Sequence, residues 1–388
     1  MKPLEGITVV ALEHAISAPF CTRQLADLGA RVIKIERPEG GDFARYYDER
    51  VKGMSSHFVW TNRSKESLAL DLKSPEAQPV LKSLLSKADI LIQNLAPGAA
   101  SRLGLSFQQL HSSFPQLIVC DISGYGDDPE HPGPYRDKKA YDLLIQSESG
   151  FLSITGTEQE NVKAGCSIAD ISAGMYAYSN ILAALLERQK TGLGKRIDIS
   201  MLECMTEWMG FPLYYASDDQ PEPQKSGASH ATIFPYGPFA TGDNKQVLFA
   251  VQNDGEWTSF CEIVLVKPDL SQSEEFKTNS DRIKNRDLLT GTILQVFSHY
   301  TQNEIILRLE QAKIANANVN TLADVWNHPQ LKARQRWAEV DTPVGKIPTL
   351  KPVGSSHSDD FQLTKVPALG EHTEKILQEL GFEAKSKN

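Results

Sequence analysis

At 388 residues the chain exceeds what one hydrophobic core usually serves, so two globular units are expected. Its net charge of −9 speaks against a protein that tracks a nucleic-acid backbone, which needs a basic excess or stripe. No stretch approaches the roughly eighteen apolar residues of a spanning helix, and the opening apolar run 7–12 is too short for a secretory signal. No nucleic-acid or membrane partner is therefore expected. The five cysteines, Cys21, Cys120, Cys166, Cys204 and Cys261, are odd in number and scattered, as in a reduced cytoplasmic protein. The histidines are equally dispersed, and no metal site is expected.

Residues 7–12 read as a buried strand, 21–28 as a short helix stopped at Gly29, and 31–36 as a second strand. A helix over 81–88 leads to a strand over 89–94 that ends in the turn Ala96-Pro97-Gly98. Residues 117–122 repeat the pattern. Residues 171–190 carry Met175, Tyr178, Ile181, Leu182, Leu185 and Leu186 at helical spacing, and a strand follows at 196–200. Such apolar strands separated by helices imply a parallel sheet covered on both faces, an α/β fold of Rossmann-like architecture. A polar, proline-containing stretch then marks a boundary. Residues 234–251 read as an antiparallel pair turning at Thr241-Gly242-Asp243-Asn244, with helices around 287–299 and 302–312. The expected plan is a large Rossmann-like domain over 1–216, a linker over 217–230 and a smaller α+β domain over 231–325. Residues 326–388 would return to pack on the large domain.

Ligands of open α/β sheets gather beyond the strand C-termini, so the turns after strands come first. The turn after the first strand, Glu13-His14-Ala15-Ile16-Ser17-Ala18-Pro19, lacks the Gly-x-Gly-x-x-Gly of nicotinamide sites. Neither a P-loop nor a Gly-x-Ser-x-Gly nucleophile elbow occurs anywhere. Asp170 stands out, because it opens the long apolar helix among small residues, Ala169, Ser172, Ala173 and Gly174. An aspartate there is commonly an N-cap; the alternative is a carboxylate nucleophile.

Six ordered stretches carry a resemblance that runs from Lys2 to Phe382. They are Lys2-Pro3-Leu4-Glu5-Gly6-Ile7, Leu28-Gly29-Ala30-Arg31-Val32-Ile33-Lys34-Ile35-Glu36-Arg37, Asn62-Arg63-Ser64-Lys65-Glu66-Ser67, Asn94-Leu95-Ala96-Pro97-Gly98, Ala140-Tyr141-Asp142 and Leu369-Gly370-Glu371-His372-Thr373. In these the chain resembles the class III CoA-transferases, the family of formyl-CoA:oxalate and carnitine CoA-transferases. The resemblance implies that Asp170 is the nucleophile, forming first an acyl anhydride and then an aspartyl-CoA thioester. It implies CoA contacts at Arg37, Lys65, Asn94, Leu95, Arg102 and Lys139, and an interlocked homodimer. Partners would be an acyl-CoA and a free carboxylic acid, with no cofactor beyond the CoA thioester itself.

Within that family the chain most resembles the succinyl-CoA-dependent dicarboxylate branch, which points to itaconate as acceptor. Ile16 stands where the formyl transferase has a glutamine, which argues against formate and oxalate. His14, Ile16, Arg45, Arg50 and Tyr141 are the candidate acid-pocket residues, with Arg45 and Arg50 offered for a distal carboxylate. The rival is an α-methylacyl-CoA racemase, which resembles this chain in fold but has a histidine base where Tyr141 stands. A phenol with a pKa near 10 is a poor base at neutral pH.

Overall fold

The computed structural model describes residues 1–383 apart from 356, 358 and 359. Six strands form one sheet: β1 (Thr8–Leu12), β2 (Arg31–Glu36), β3 (Lys65–Ala69), β4 (Ile90–Gln93), β5 (Ile118–Ser123) and β6 (Arg196–Ser200). Their order is β3-β2-β1-β4-β5-β6, and every neighbouring pair is parallel. Alternate residues of a strand face opposite ways, and both faces here are apolar. Val9 and Ala11, with Val32, Ile90 and Ile92, pack under the helices Ser17–Asp27 and Ile168–Thr191. Val10 and Leu12, with Ile33, Ile35 and Leu91, pack under the helix Ala77–Leu85 and Ile376 of the C-terminal helix Thr373–Glu379. The α/β expectation holds, and the five expected strands are present.

Strand β3 escapes the sequence pattern for a physical reason. Its residues Lys-Glu-Ser-Leu-Ala contain a single large apolar side chain, and Lys65 and Ser67 are buried through polar partners instead. Glu66 meets Arg31 at 2.7 Å, closing the sheet edge with an ion pair.

The chain leaves β1 toward β2 on one side and later returns to β4 on the other. The strand order therefore reverses between β1 and β4. That is where the carboxyl ends of a doubly wound sheet open into a ligand crevice.

The described chain divides into two compact units, one of 1–151, 163–210 and 331–388, the other of 152–162 and 211–330. Residues 152–162, with the polar run Thr155-Gly156-Thr157-Glu158-Gln159-Glu160-Asn161, join the second unit. The second unit carries β7 (Tyr236–Ala240), β8 (Gln246–Ala250) and β9 (Ala315–Asn318), antiparallel in that order. Its core is aromatic, built on Phe239, Phe249, Trp257, Phe260 and Phe297. Helices Arg286–Phe297 and Gln302–Gln311 cover it. In the first unit, β10 (Trp337–Val340) and β11 (Ile347–Leu350) add an antiparallel hairpin. Among the described residues no helix is long and apolar enough to cross a membrane.

Candidate active site

The turn after β1 holds a residue other than glycine in the left-handed region, Ala15 at φ 58°. Such a conformation costs about 1–3 kcal/mol and persists only where its surroundings hold it. Two side chains hold it here. Asp42 Oδ1 accepts from the Ala15 N–H at 3.1 Å. Asn94, just past β4, accepts from the His14 N–H at 2.8 Å and donates back to the His14 carbonyl at 2.8 Å. The same Asn94 Nδ2 donates to Ser17 Oγ at 3.1 Å.

Beneath the turn lies a sealed set of four charges. Lys34 Nζ bonds Asp42 Oδ2 at 2.8 Å and lies 3.3 Å from Glu13 Oε1. Lys65 Nζ bonds the same Glu13 oxygen at 2.7 Å, Asn62 Oδ1 at 3.1 Å and the Pro19 carbonyl at 3.0 Å. Burial and the neighbouring Lys34 pull the Lys65 ammonium down to about 8, against the attraction of Glu13. Lys65 is thus a correction: all its reach is spent inside the protein, and it lines no cavity.

Asp170 sits in the first turn of the helix Ile168–Thr191, whose N-cap is Ser167. The Ser167 side chain makes no capping bond. Asp142, from the start of another helix, takes that role: its Oδ1 accepts from the N–H groups of Ala169 at 2.8 Å and Asp170 at 3.3 Å. Its Oδ2 accepts from Gln146 at 2.6 Å. The N-cap reading of Asp170 is therefore replaced by a cap supplied from elsewhere, which leaves the Asp170 carboxyl free of that duty. Burial, and then the like charge of Asp142, raise that carboxyl to about 7; the Ser17 hydroxyl, within hydrogen-bonding reach, opposes the rise.

The small neighbours of Asp170 have a different use from admitting a ligand. Ala169, Ala173 and Ala177 belong to the core under the sheet. A Cβ on Gly174 would lie 2.7 Å from the Ser17 carbonyl oxygen and 3.0 Å from Phe20. Their smallness brings the start of the helix Ser17–Asp27 against the Asp170 helix.

Asp170, Ser17, His14, Ile16, Asn94 and Tyr141 line a cavity of about 600 Å³, and Lys139 and Leu95 reach it too. A second cavity of about 830 Å³ contains Arg37 and Arg102, and shares His14, Leu95 and Ala99 with the first. One thus holds the Asp170 carboxyl, the other two arginines suited to phosphates. Arg45 and Arg50 line neither. Arg45 is held by Glu36 at 2.8 Å and lies 3.7 Å over the Phe58 ring, and Arg50 is exposed. Their proposed hold on a distal carboxylate is corrected accordingly.

Sequence reasoning overlooked Ser17, Asp42, Tyr47, His57 and Lys138, and gave Asp142 no task. Tyr47, His57 and Lys138 line the first cavity. His57 Nδ1 lies 3.1 Å from Asp48 Oδ2, and Tyr47 meets the His57 ring edge-on at 5.2 Å. Burial, with Asp42, Asp170 and Tyr141 nearby, pushes the Tyr47 phenol up to about 12, so it remains a donor. Burial lowers His14 despite Asp42, so its ring is neutral near pH 7. A signal for Asp42 existed in the sequence, an aspartate just after the Gly40-Gly41 pair, but nothing marked its partner.

A doubly wound sheet with a half-buried carboxyl of raised pKa at its switch point, beside an arginine-lined cleft, suits acyl transfer from a phosphate-bearing carrier. The signature of CoA-transferase family III matches residues 4–373. The succinyl-CoA:glutarate CoA-transferase of Homo sapiens is 31% identical over 386 residues, 98% of this chain and 86% of that one. The succinyl-CoA:mesaconate CoA-transferase of Haloarcula marismortui is 30% identical, across 99% of this chain and 98% of its own. A CAIB/BAIF family protein from Brucella suis superposes with a TM-score of 0.87 at 32% identity, covering 98% of this chain and 99% of that structure. The chain belongs to CoA-transferase family III, and it is a CoA-transferase.

Proposed function

We propose that the chain moves CoA from succinyl-CoA to a five-carbon dicarboxylic acid, itaconate first among them, with Asp170 as nucleophile. The observation that carries the reading is the Asp170 carboxyl, half-buried in the first cavity and held near pH 7 by burial and Asp142. A carboxylate of that basicity is a stronger nucleophile than an ordinary one, and about half of it is ionised at neutral pH.

The Asp170 carboxylate attacks the succinyl-CoA carbonyl and CoA leaves as thiolate, giving a succinyl–aspartyl anhydride. The thiolate attacks the Asp170 carbonyl carbon, succinate departs, and an aspartyl-CoA thioester remains. The acceptor carboxylate then displaces CoA from Asp170, and the thiolate attacks the acceptor's acyl carbon. The Asp170 carboxylate is regenerated. Each step exchanges one acyl bond for another, so the sequence balances without ATP, metal or redox group.

Arg37 and Arg102 suit the CoA phosphates, with Asn94, Leu95 and Lys139 on the path to the reacting carbon. His57 suits the far carboxylate in place of Arg45 and Arg50. Glutarate and mesaconate, named for the relatives, are five-carbon dicarboxylic acids like itaconate and support that class. A cytoplasmic homodimer completes the proposal. All five cysteines are free. Phe211 and Tyr214 stand 77% and 84% exposed, apolar surface that a second copy would cover. Gel filtration at the 43.0 kDa of one chain would refute the dimer.

The test incubates the protein with succinyl-CoA, traps with hydroxylamine and maps the adduct by mass. The adduct is expected on the Asp170 peptide, with CoA passing to itaconate or glutarate and not to butyrate. Deuterium entering the acyl α-carbon without CoA exchange would establish the racemase reading instead.

A further inference from the structure

Four backbone N–H groups of the segments around Asp170 are already committed. The N–H groups of His14 and Ala15 are taken by Asn94 and Asp42, and those of Ala169 and Asp170 by Asp142. An acyl-transfer site still needs a donor for the negative charge that develops on the attacked carbonyl oxygen. A side-chain hydroxyl in the same cavity can supply one.

Ser17 is buried, 3% exposed, and starts its helix without capping it. A buried hydroxyl is costly unless its hydrogen-bonding capacity is used. Asn94 fixes how it is used. Because Asn94 Oδ1 accepts from the His14 N–H, the group facing Ser17 is the NH2, and this donates to Ser17 Oγ. Ser17 is thus an acceptor toward Asn94, and its own proton points elsewhere. The Asp170 carboxyl lies within its reach in the same cavity. The close approach allowed by Gly174 holds Ser17 there.

We infer that Ser17 is a catalytic donor of this transferase: oriented by Asn94, its hydroxyl binds the Asp170 carbonyl oxygen as that oxygen becomes negative under attack by the CoA thiolate. The inference rests on Asp170 being the nucleophile. In the step, the thiolate sulfur bonds to the Asp170 carbonyl carbon and the carbonyl π pair moves to oxygen. Ser17 stabilises that oxyanion without giving up its proton. Collapse re-forms the carbonyl and expels the donor acid as carboxylate. In the resting enzyme the same hydrogen bond favours the ionised Asp170. Ser17 thereby serves both states, and Asn94 is a positioning residue that acts through it.

Ser17→Ala, Ser17→Thr and the wild type should be compared in single turnovers with succinyl-CoA, following aspartyl-CoA by mass. Removal of one oxyanion donor costs about 10²–10³-fold in rate. Ser17→Ala is expected to slow aspartyl-CoA formation by that factor, with the KM for succinyl-CoA little changed and the acid limb of the pH–rate profile moved upward. Ser17→Thr, which keeps the hydroxyl, should recover most of the rate. A Ser17→Ala rate within threefold of wild type overturns the inference, as does a folded Ser17→Thr as slow as Ser17→Ala. Should Ser17→Ala not fold, Ser17→Cys, with its weak donor, replaces it under the same criteria. A wild type that forms no Asp170 adduct overturns the nucleophile itself, a failure distinct from an adduct that forms equally fast without Ser17.

Discussion

Replacing Asp142 by Asn removes a negative charge beside Asp170 while keeping an oxygen to cap the Asp170 helix. At the ~6 Å outer limit of strong coupling, two unit charges at an effective dielectric constant of about 20 repel by about 3 kcal/mol, near two pKa units. A cavity open to solvent screens part of that, so a downward shift of about one unit in the Asp170 carboxyl is expected. The reacting form is the carboxylate, and in the wild type the acid limb of kcat/KM should lie near 7, where burial and Asp142 hold the group. In Asp142→Asn the limb should move to lower pH, raising the rate at pH 6 relative to that at pH 8. The substitution also sets the new amide against Gln146 Nε2, now 2.6 Å from Oδ2, and forfeits about 1 kcal/mol of stability. The assay is CoA transfer from succinyl-CoA to glutarate between pH 5 and 9, with denaturant unfolding alongside. An acid limb that stays put or moves up refutes the argument that Asp142 tunes the nucleophile.

Asp170→Asn should be more stable than wild type at pH 8. A carboxyl raised from 3.8 to about 7 on folding holds its proton more tightly when folded, so wild-type stability falls as pH climbs through that window and levels off above it. The upper limit of the gain is about 4 kcal/mol, and urea midpoints should converge at pH 4. Lys65→Met leaves Glu13 without its shortest ion pair and should cost about 3–5 kcal/mol in urea unfolding, as expected of a lysine sealed in the interior. If Lys65 instead gripped CoA, the KM for succinyl-CoA would rise with stability intact. Gly174→Ala drives a methyl toward the Ser17 carbonyl, 2.7 Å away, at a cost of about 1–3 kcal/mol. It should lower kcat more than it raises KM, since it moves Ser17 relative to Asp170.

The sheet was legible wherever burial on both faces made a strand mostly apolar, as at 7–12 and 117–122. Strand β3 was not, because Lys65 and Ser67 are buried by polar partners that lie far away in sequence. Asp170 was legible as a position, while its chemistry comes from Asp142, 28 residues earlier, and Ser17 on a separate helix. Lys65, drawn from the resemblance, and Arg45, drawn from its loop, both turn to internal glutamates, since a lysine or arginine looks the same in sequence whether it faces a cavity or such a partner. The resemblance supplied the family and pointed to Asp170; the partners of each side chain had to come from three-dimensional packing.

The four charges under the Ala15 turn have an implication for how this chain can vary. Lys34 and Lys65 against Glu13 and Asp42 sum to zero inside a volume closed to counterions. Any single replacement that alters one charge strands another, whereas exchanging a whole pair for packed apolar groups can be nearly neutral. Viable sequences at these positions are thus separated by double steps, and a library that mutates them one at a time would register the floor of the active site as immutable.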